Sequence, residues 1–192
     1  MEKSDVQLVQ EILLDTQGSF EELVSRYTKP LYNFIYRLVG NIQTAEDLVQ
    51  ETFIKVWKNL AKYDQKQVFR AWIFTIARNT ATDYMRKKKS IPFSVLSNDD
   101  EYVFEDSLAD ENPLPEDLLA ELENTELFEK LLAELSVDYQ MVLLLHYQEG
   151  LTFDEIGTIL DTSLNTVKSW HHRALAQLRS VMHQKPLSLR IK

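Results

Sequence analysis

The segment 163–183 carries polar and basic side chains at positions that would share one side of a helix. When the apolar residues of this segment are placed inward, the outward-facing candidates are Asn165, Thr166, Lys168, Ser169, His172 and Arg173. Asn, Ser and Arg side chains hydrogen-bond to base edges, and Lys binds phosphates. The spacing therefore predicts a helix surface that contacts a nucleic acid, with Arg173 as the principal base contact and Lys168 as a phosphate contact.

A short helix is predicted directly before that segment. Thr152 and Glu155 match the capping box that starts a helix, and Ser163 can cap the next one. Gly157 stands where two helices joined by a tight turn must approach closely. This order, with the second helix longer and basic, is typical of a helix-turn-helix, although a plain helical hairpin with a solvated basic face is the alternative. The predicted shared core consists of Ile156, Leu160, Val167, Leu175 and Leu178.

Other residue patterns with catalytic or metal-binding chemistry are sparse. His171 and His172 would point about 100° apart on a helix and could not share a metal ion, so His171 is predicted to be partly buried and structural. The sequence has no cysteine, Gly-rich phosphate loop, H-E-x-x-H motif or nucleophile elbow. Glu46, Asp47 and Glu51 could in principle form a metal site, but a polar helix face is sufficient to explain these acids. We expect no enzymatic activity, no cofactor and no metal.

Charge is distributed unevenly along the 192 residues, whose formal net charge is −9 at pH 7. Residues 66–89 sum to +6 and residues 163–192 also sum to +6, whereas residues 90–134 sum to −13. A whole-chain sum hides such a pattern. Two basic segments on predicted helices therefore flank an acidic middle, and both offer a place for a polyanion.

The composition indicates an all-α fold. Four glycines and five prolines punctuate the chain, β-branched alternation is scarce, and hydrophobic residues make up 44%. The absence of cysteine excludes a disulfide framework and favours an intracellular compartment. No apolar run approaches the roughly 20 residues that span a bilayer, and the first residues do not form a signal peptide. We expect a soluble, cytoplasmic protein.

Capping residues and helical periodicity predict a first helical domain over residues 1–90. Ser19 with Glu22 matches a capping box and is expected to open a helix that runs to Gly40. Pro30 lies inside this helix and is expected to break or kink it. Three amphipathic helices of this kind would form a small bundle.

The other helices of this domain are expected near 5–16, from a cap at Thr44 onward, and over 68–86. An apolar stripe at i, i+3, i+4 spacing marks the last two. Its predicted buried members are Ala45, Leu48, Val49, Thr52, Phe53, Val56, Trp57, Leu60, Phe69, Ile73, Ile76, Ala77, Thr80 and Tyr84.

The segment 91–114 interrupts the periodicity, and its acids and prolines predict an acidic linker. A second helical domain is expected over 115–192, beginning at a helix N-terminus at Pro115. Ser136 is predicted to cap a helix that ends near Gly150. The expected buried leucines before it are Leu119, Leu122, Leu131, Leu132 and Leu135.

Several stretches together resemble one family, the extracytoplasmic-function sigma factors. Their polymerase-binding and promoter-melting regions are similar to AEDLVQETFIKVW (45–57) followed by VFRAWIFTIARNTATDYMRKKK (68–89). Their C-terminal promoter-binding domain resembles LSVDYQMVLLLHYQEGLTFDEIGTIL (135–160) with TVKSWHHRALAQLR (166–179). The stretches occur in the family's order and spacing.

The resemblance implies a subunit that binds core RNA polymerase and gives it promoter specificity. In this family the first domain docks on the clamp helices of the largest polymerase subunit and opens the minus-10 element, while the second reads the minus-35 duplex. The residues assigned to docking are Asp47, Gln50, Glu51 and Lys55. The residues assigned to minus-10 DNA are Tyr63, Lys66, Arg70, Phe74, Arg78, Arg86 and Lys87. The minus-35 contacts are the outward-facing residues of 163–183.

The helix over 68–86 is expected to expose an aromatic side chain among arginines. Arg70, Phe74, Arg78 and Met85 are predicted to lie opposite the buried stripe. Phe74 would then stack on an unpaired base. Trp72, at the edge of the stripe, is predicted to pack in the core. The loop 62–67 resembles the family's loop that captures a flipped minus-10 base.

The resemblance also implies promoter DNA and an anti-sigma factor, often membrane-bound, as partners, a stress or cell-envelope regulon, and no small-molecule substrate. The chain departs from the family at Trp170 and His171, where relatives usually place a basic or polar and an apolar residue. A dimeric helix-turn-helix regulator that binds an operator without polymerase is the remaining alternative.

Overall fold

The computed structural model describes residues 3–14, 18–89 and 130–184. Every regular element in these ranges is helical, and the chain divides into two compact units. The predicted linker 91–114 and the predicted helix start at Pro115 lie outside the described residues. The helices before the gap are α1 (Asp5–Leu13), α2 (Ser19–Val39), α3 (Ile42–Asn59) and α4 (Phe69–Lys89). Those after it are α5 (Val137–Leu143), α6 (Phe153–Leu160) and α7 (Leu164–Gln184).

The N-terminal helix α1 begins with a capping box that the sequence reading missed. The Ser4 hydroxyl accepts from the Gln7 N–H at 3.3 Å, and the Gln7 side chain accepts from the Ser4 N–H at 2.9 Å. Asp5 then ties α1 to α2, because its carboxylate accepts from Arg26 and from the Tyr27 hydroxyl, each at 2.6 Å. An amphipathic helix of nine residues is thereby fixed to the bundle by a buried face and by ionic contacts.

The predicted starts of α2 and α3 are wrong in detail. Gly18, in the left-handed region at φ +87°, precedes α2, and the Ser19 hydroxyl donates to Glu11 rather than capping its own helix. The Asn41 side chain caps α3 by accepting from the Thr44 N–H at 2.9 Å, so this helix starts before the predicted cap at Thr44. The Asn41 side chain thus takes the capping position at α3, whereas Gly18 precedes α2 without a side-chain cap.

The end of α2 agrees with the sequence prediction, because Gly40 closes the helix at φ +66° with its N–H donating to the Tyr36 carbonyl. Pro30 lies inside an uninterrupted helix and does not break it. A proline is tolerated there when tertiary packing offsets the lost hydrogen bond. Leu31, Phe34 and Ile35, which follow it directly, are fully buried.

Aromatic side chains hold α2 and α4 together in the first unit. Phe34 and Phe74 meet edge to face at 5.4 Å between ring centroids, and Tyr27 meets Phe69 at 5.6 Å. Of the predicted stripe, Ile76 and Tyr84 are half-buried, and Trp57 is 56% exposed. The prediction for Trp57 is wrong because this side chain packs edge to face on Phe20 near the surface, at 4.8 Å.

The second unit is built on α5 and its extension. The Ser136 hydroxyl caps α5 as predicted, accepting from the Tyr139 N–H. The helix then widens into a π-helical turn over Leu144–Gln148 and ends before Gly150, which adopts φ +63°. The predicted leucines that fall in the described residues, Leu131, Leu132 and Leu135, are buried.

Helices α6 and α7 form the predicted helix-turn-helix. Thr152 and Glu155 make the predicted capping box, with the Thr152 N–H donating to the Glu155 carboxylate at 2.8 Å. A Cβ added to Gly157 would lie 3.0 Å from the Thr162 carbonyl oxygen, so a larger residue would push the turn apart. The predicted core residues Ile156, Leu160, Val167, Leu175 and Leu178 are all buried.

Candidate nucleic-acid and partner interfaces

The accessible side of α7 carries the residues that the sequence selected. Ser163 caps the helix by accepting from the Thr166 N–H at 3.1 Å. Asn165 and Lys168 are exposed, and the other four candidates are half-buried: Thr166, Ser169, His172 and Arg173. Their i, i+3 and i+4 spacing places them side by side along the helix. The arrangement can offer amide, hydroxyl, imidazole and guanidinium groups to one groove of a duplex.

His171 lies on another side of α7, against the π-helical turn. The Tyr147 hydroxyl and His171 Nε2 are 2.9 Å apart, and the His171 ring also contacts His146 and Phe153. Burial, followed by the charges of His146 and His172, lowers the pKa of His171 to about 4. The prediction of a partly buried structural histidine is confirmed.

On α4 the predicted outward face is wrong. Phe74 is fully buried against Phe34 and Met85 is only 8% exposed, so neither can meet a DNA base. The buried sector is wide, because Ala71 and Ala81 are buried beside the expected stripe. The solvent side of the helix has a different membership. It comprises Asn79, Arg86, Lys87 and Lys88, which are exposed, and Trp72, Thr75, Thr82 and Asp83, which are half-buried.

The loop before α4 is a preformed turn. Tyr63, assigned to DNA from sequence, is buried, because its ring packs on Phe69 and Trp72 at 5.3 and 5.0 Å. Its hydroxyl donates to the Gln67 carbonyl oxygen. Trp72 is half-buried and packs on Tyr63 and Phe69 at the edge of the core, so the predicted core packing holds for one side of its ring. The Asp64 side chain accepts from the Lys66 N–H at 3.0 Å, which closes the turn.

The tip of this turn is exposed from Asp64 to Gln67, and Lys66 keeps its place as a candidate DNA contact. The turn is also braced from outside. Gln10 of α1 donates to the Gln65 side chain at 3.0 Å, a contact between residues 55 positions apart. Sequence reasoning missed this contact, and nothing in the spacing of two glutamines could have indicated it.

Two arginines of α4 are less available than predicted. Arg70 and Arg78 are half-buried. Arg70 lies close enough to Tyr27 for its charge to oppose the rise that burial and Asp5 cause in the pKa of the Tyr27 hydroxyl. Arg78 donates to the Asn79 side chain at 2.9 Å. At the end of the helix, Arg86 pairs with Asp83 at 2.8 Å and remains about half exposed.

The outer side of α3 is partly acidic and partly apolar. Asp47, Gln50 and Glu51 are exposed as expected. Lys55 is half-buried and donates to Glu51 at 2.8 Å and to the Thr80 hydroxyl at 3.0 Å, so it faces α4. Ile54, four residues after Gln50, is 53% exposed. Ile54 was not among the docking residues assigned from the sequence. Its position outside the apolar stripe of this helix could have indicated that it is exposed.

Together these features define a class of protein. One helical unit has an exposed turn beside a basic helix, and the other contains a helix-turn-helix. This combination is typical of a DNA-binding transcription factor. No helix in the described ranges is long and apolar enough to cross a membrane.

Comparison with known proteins gives the family. The Sigma-70 region 2 model matches residues 23–91, and the Sigma-70, region 4 model matches residues 125–178. The chain is 32% identical to the ECF RNA polymerase sigma factor SigW of Bacillus subtilis over 174 residues, covering 89% of this chain and 92% of the relative. It is 34% identical to the ECF RNA polymerase sigma factor SigE of Mycolicibacterium smegmatis, covering 85% and 62%. The chain belongs to the extracytoplasmic-function group of the sigma-70 family, and it is a sigma factor that directs transcription.

Solved structures agree with the two-domain all-α fold. CnrH, in complex with the cytosolic domain of CnrY, superposes with a TM-score of 0.69 at 22% identity, over 96% of this chain and 100% of CnrH. The sigma factor RpoE of Bartonella quintana, in complex with the anti-sigma factor NepR, superposes with a TM-score of 0.64 at 25% identity, over 87% and 98%.

Proposed function

We propose that the chain binds core RNA polymerase through α3, opens the minus-10 element with the turn 62–67 and α4, and reads the minus-35 duplex with α7. The observation that carries this proposal is the outer face of α3. It exposes carboxylates beside two adjacent large apolar side chains, Ile54 and Trp57, a combination that is expected of a protein-binding surface.

The docking surface is defined here as Asp47, Gln50, Glu51, Ile54 and Trp57. Its tryptophan is more than half exposed and sits beside an isoleucine of similar exposure. Buried tryptophans supply a large share of interface affinity, and carboxylates around them favour a basic partner. We assign this surface to the clamp helices of the largest polymerase subunit. Lys55 contributes indirectly, because it orients Glu51.

The minus-10 element is assigned to basic residues of the turn and of α4, because the rings of Tyr63 and Phe74 are buried. Lys66 lies on the exposed turn, and Arg86 and Lys87 lie on the exposed end of α4. Asn79 joins them as an exposed amide that can hydrogen-bond to a base. Arg70 and Arg78 are half-buried and are assigned to backbone contacts at the edge of this surface.

The minus-35 duplex is assigned to Asn165, Thr166, Lys168, Ser169, His172 and Arg173. A helix that is packed on one side and polar on the other fits the major groove. In this assignment Arg173 reads a base and Lys168 holds a phosphate. The domain bounds proposed are 1–90 for docking and minus-10 contacts, 91–114 for the linker, and 115–192 for minus-35 contacts.

Further parts of the proposal concern the cellular setting. We assign an anti-sigma factor to the chain as a further partner, membrane-bound as the family resemblance implies, and place it on the docking surface. The sigma factor RpoE, which is 25% identical to this chain, was solved with an anti-sigma factor bound. We further propose a cytoplasmic location, a stress or cell-envelope regulon, and no catalytic activity, cofactor or small-molecule substrate of the chain's own.

The test combines co-purification with core polymerase and run-off transcription from candidate promoters. Transcripts should require both proteins, and Asp47→Lys with Glu51→Lys should weaken binding to the core enzyme without loss of helicity. Glu21→Lys with Asn33→Lys, at two exposed positions of α2, adds a similar positive charge to the same unit and is the control. If the double variant binds core polymerase as tightly as the wild-type chain, the assignment of the docking surface to α3 is wrong.

A further inference from the structure

A cluster of four rings joins α7 to the rest of the second unit. It consists of His146 and Tyr147 from the π-helical turn, Phe153 at the start of α6, and His171 of α7. His146 and Phe153 are 4.5 Å apart between ring centroids, Phe153 and His171 are 4.9 Å apart, and Tyr147 and His171 are 5.7 Å apart. Three elements of the helix-turn-helix unit therefore meet at His171.

One directional bond stands out within this cluster. The Tyr147 hydroxyl and His171 Nε2 are 2.9 Å apart, a hydrogen-bond distance. The Tyr147 ring is held in turn by its neighbour His146, whose Nδ1 lies 2.8 Å from the Leu151 carbonyl oxygen and donates to it. The buried apolar residues of α7 limit its rotation, and a directional hydrogen bond between two packed rings restricts that rotation further.

Because of the position of His171 on α7, this bond can affect the orientation of the DNA-facing side chains. At about 100° per residue, Ser169 and Arg173 each lie about 200° around the helix from His171, so they face away from the cluster. A helix with side chains has a radius of about 5–6 Å, and a rotation of about 20° moves the outer atoms by roughly 2 Å. Base contacts tolerate much less, because hydrogen bonds are made over about 2.7–3.2 Å.

We propose that Tyr147 and His171 are positioning residues, whose hydrogen bond fixes the rotation of α7 and thereby the base preference of Ser169 and Arg173. The inference rests on the proposed reading of the minus-35 duplex by α7. His171, which departs from the family pattern, would then have a role in promoter recognition. The bond does not touch DNA and acts through the helix.

The experiment uses the full chain bound to core polymerase and a panel of promoters with single-base changes in the minus-35 element. Tyr147→Phe and His171→Phe each keep a ring and remove one partner of the bond. The matched control is Tyr139→Phe, which makes the same chemical change at a half-buried tyrosine of α5 outside the cluster. The quantity measured is the ratio of affinities for the preferred and altered promoters, with core binding and thermal unfolding recorded beside it.

Each variant should lower that ratio about two- to tenfold, the range of one hydrogen bond's net contribution, while core binding and the control stay unchanged. The double variant should lose no more than the worse single variant, because both remove the same bond. His171→Gln, which retains a hydrogen-bonding group, should recover part of the ratio.

Unchanged ratios in both ring variants would overturn the proposal, even if unfolding temperatures fall, because the bond would then be structural only. Additive losses in the double variant would also overturn it. A wild-type chain that does not discriminate among the minus-35 promoters would be a different result, since it would remove the proposed function of α7 itself.

Discussion

Helices α4 and α7 have the same length and lie in segments of the same net charge, but they differ in packing. Each has 21 residues, and each belongs to a segment with a net charge of +6. On α7 the predicted inward residues are buried and the predicted outward residues are accessible. On α4 two of the four residues predicted to face outward, Phe74 and Met85, are buried. Basic charge and helical periodicity therefore identify a candidate DNA helix, and its environment decides which face is free.

The difference has a simple geometric cause. Helix α4 contacts both α2 and α3, so side chains over more than half of its circumference are enclosed. On α7 the buried residues Val167, Ala174, Leu175 and Leu178 follow one stripe that covers about 100° of the circumference. A single apolar stripe predicts the free face of a helix that is packed on one side, and fails for a helix that is packed on two.

The largest expected effect concerns Phe74. Phe74→Ala should lower the free energy of unfolding of the first unit by about 3–5 kcal/mol, because it empties a fully buried site against Phe34. Chemical denaturation followed by circular dichroism measures this change. Phe74→Leu, which fills most of the space, should cost clearly less. If Phe74→Ala folds with normal stability but fails in promoter melting, Phe74 is an exposed stacking residue and the contrast with α7 disappears.

Arg173 should show the opposite behaviour. Arg173→Ala should leave stability nearly unchanged and cost about 1–3 kcal/mol at the preferred promoter, with relaxed choice at one base position. Holoenzyme binding to single-base minus-35 variants measures both quantities. An equal loss on every promoter would make Arg173 a backbone anchor and would shift specificity to its neighbours or to DNA shape.

The stability of the second unit should depend on pH through His171. The pKa of His171 is about 4 in the folded chain and near its ordinary 6.5 when unfolded. Between these values the unfolded state binds more protons, so the contribution to stability is complete above about pH 6.5 and is lost as the pH falls towards 4. Amide hydrogen exchange in α7 at pH 7 and pH 5 measures the loss, after correction for the intrinsic exchange rates.

His171→Gln should flatten this pH dependence, because it removes the titrating group. A slope of the same size after the substitution would come from a group other than His171. In that case the imidazole of His171 is not the group that senses acid.

The smallest expected effect distinguishes duplex from single-stranded contacts. Lys168→Ala should reduce the slope of log affinity against log salt by about 0.9, as for one phosphate of duplex DNA. Lys87→Ala should reduce it by about 0.7 on a promoter melted at the minus-10 element, as for a single strand. Holoenzyme binding over a salt series measures both slopes. If the salt slope is unchanged in Lys168→Ala, this lysine does not contact a phosphate.

The sequence by itself determined the family, the all-α fold and most of the second unit. The residues of the helix-turn-helix signal their roles locally. Ser136, Thr152 and Ser163 cap helices through hydrogen bonds to residues three positions away. Gly157 is needed because a side chain there would meet the backbone of the turn that follows it. Interactions over three or four residues leave a pattern that a linear reading can recognise.

Tertiary structure alone decided the faces of α4, the burial of Tyr63 and the exposure of Trp57. These outcomes depend on which helices meet and on how many sides each is enclosed, and that information is spread over distant parts of the chain. The same holds for the contact between Gln10 and Gln65 and for the bond between Tyr147 and His171, whose partners are 55 and 24 positions apart. Side chains that far apart have no common period in the sequence, and only the packing of the helices brings them together.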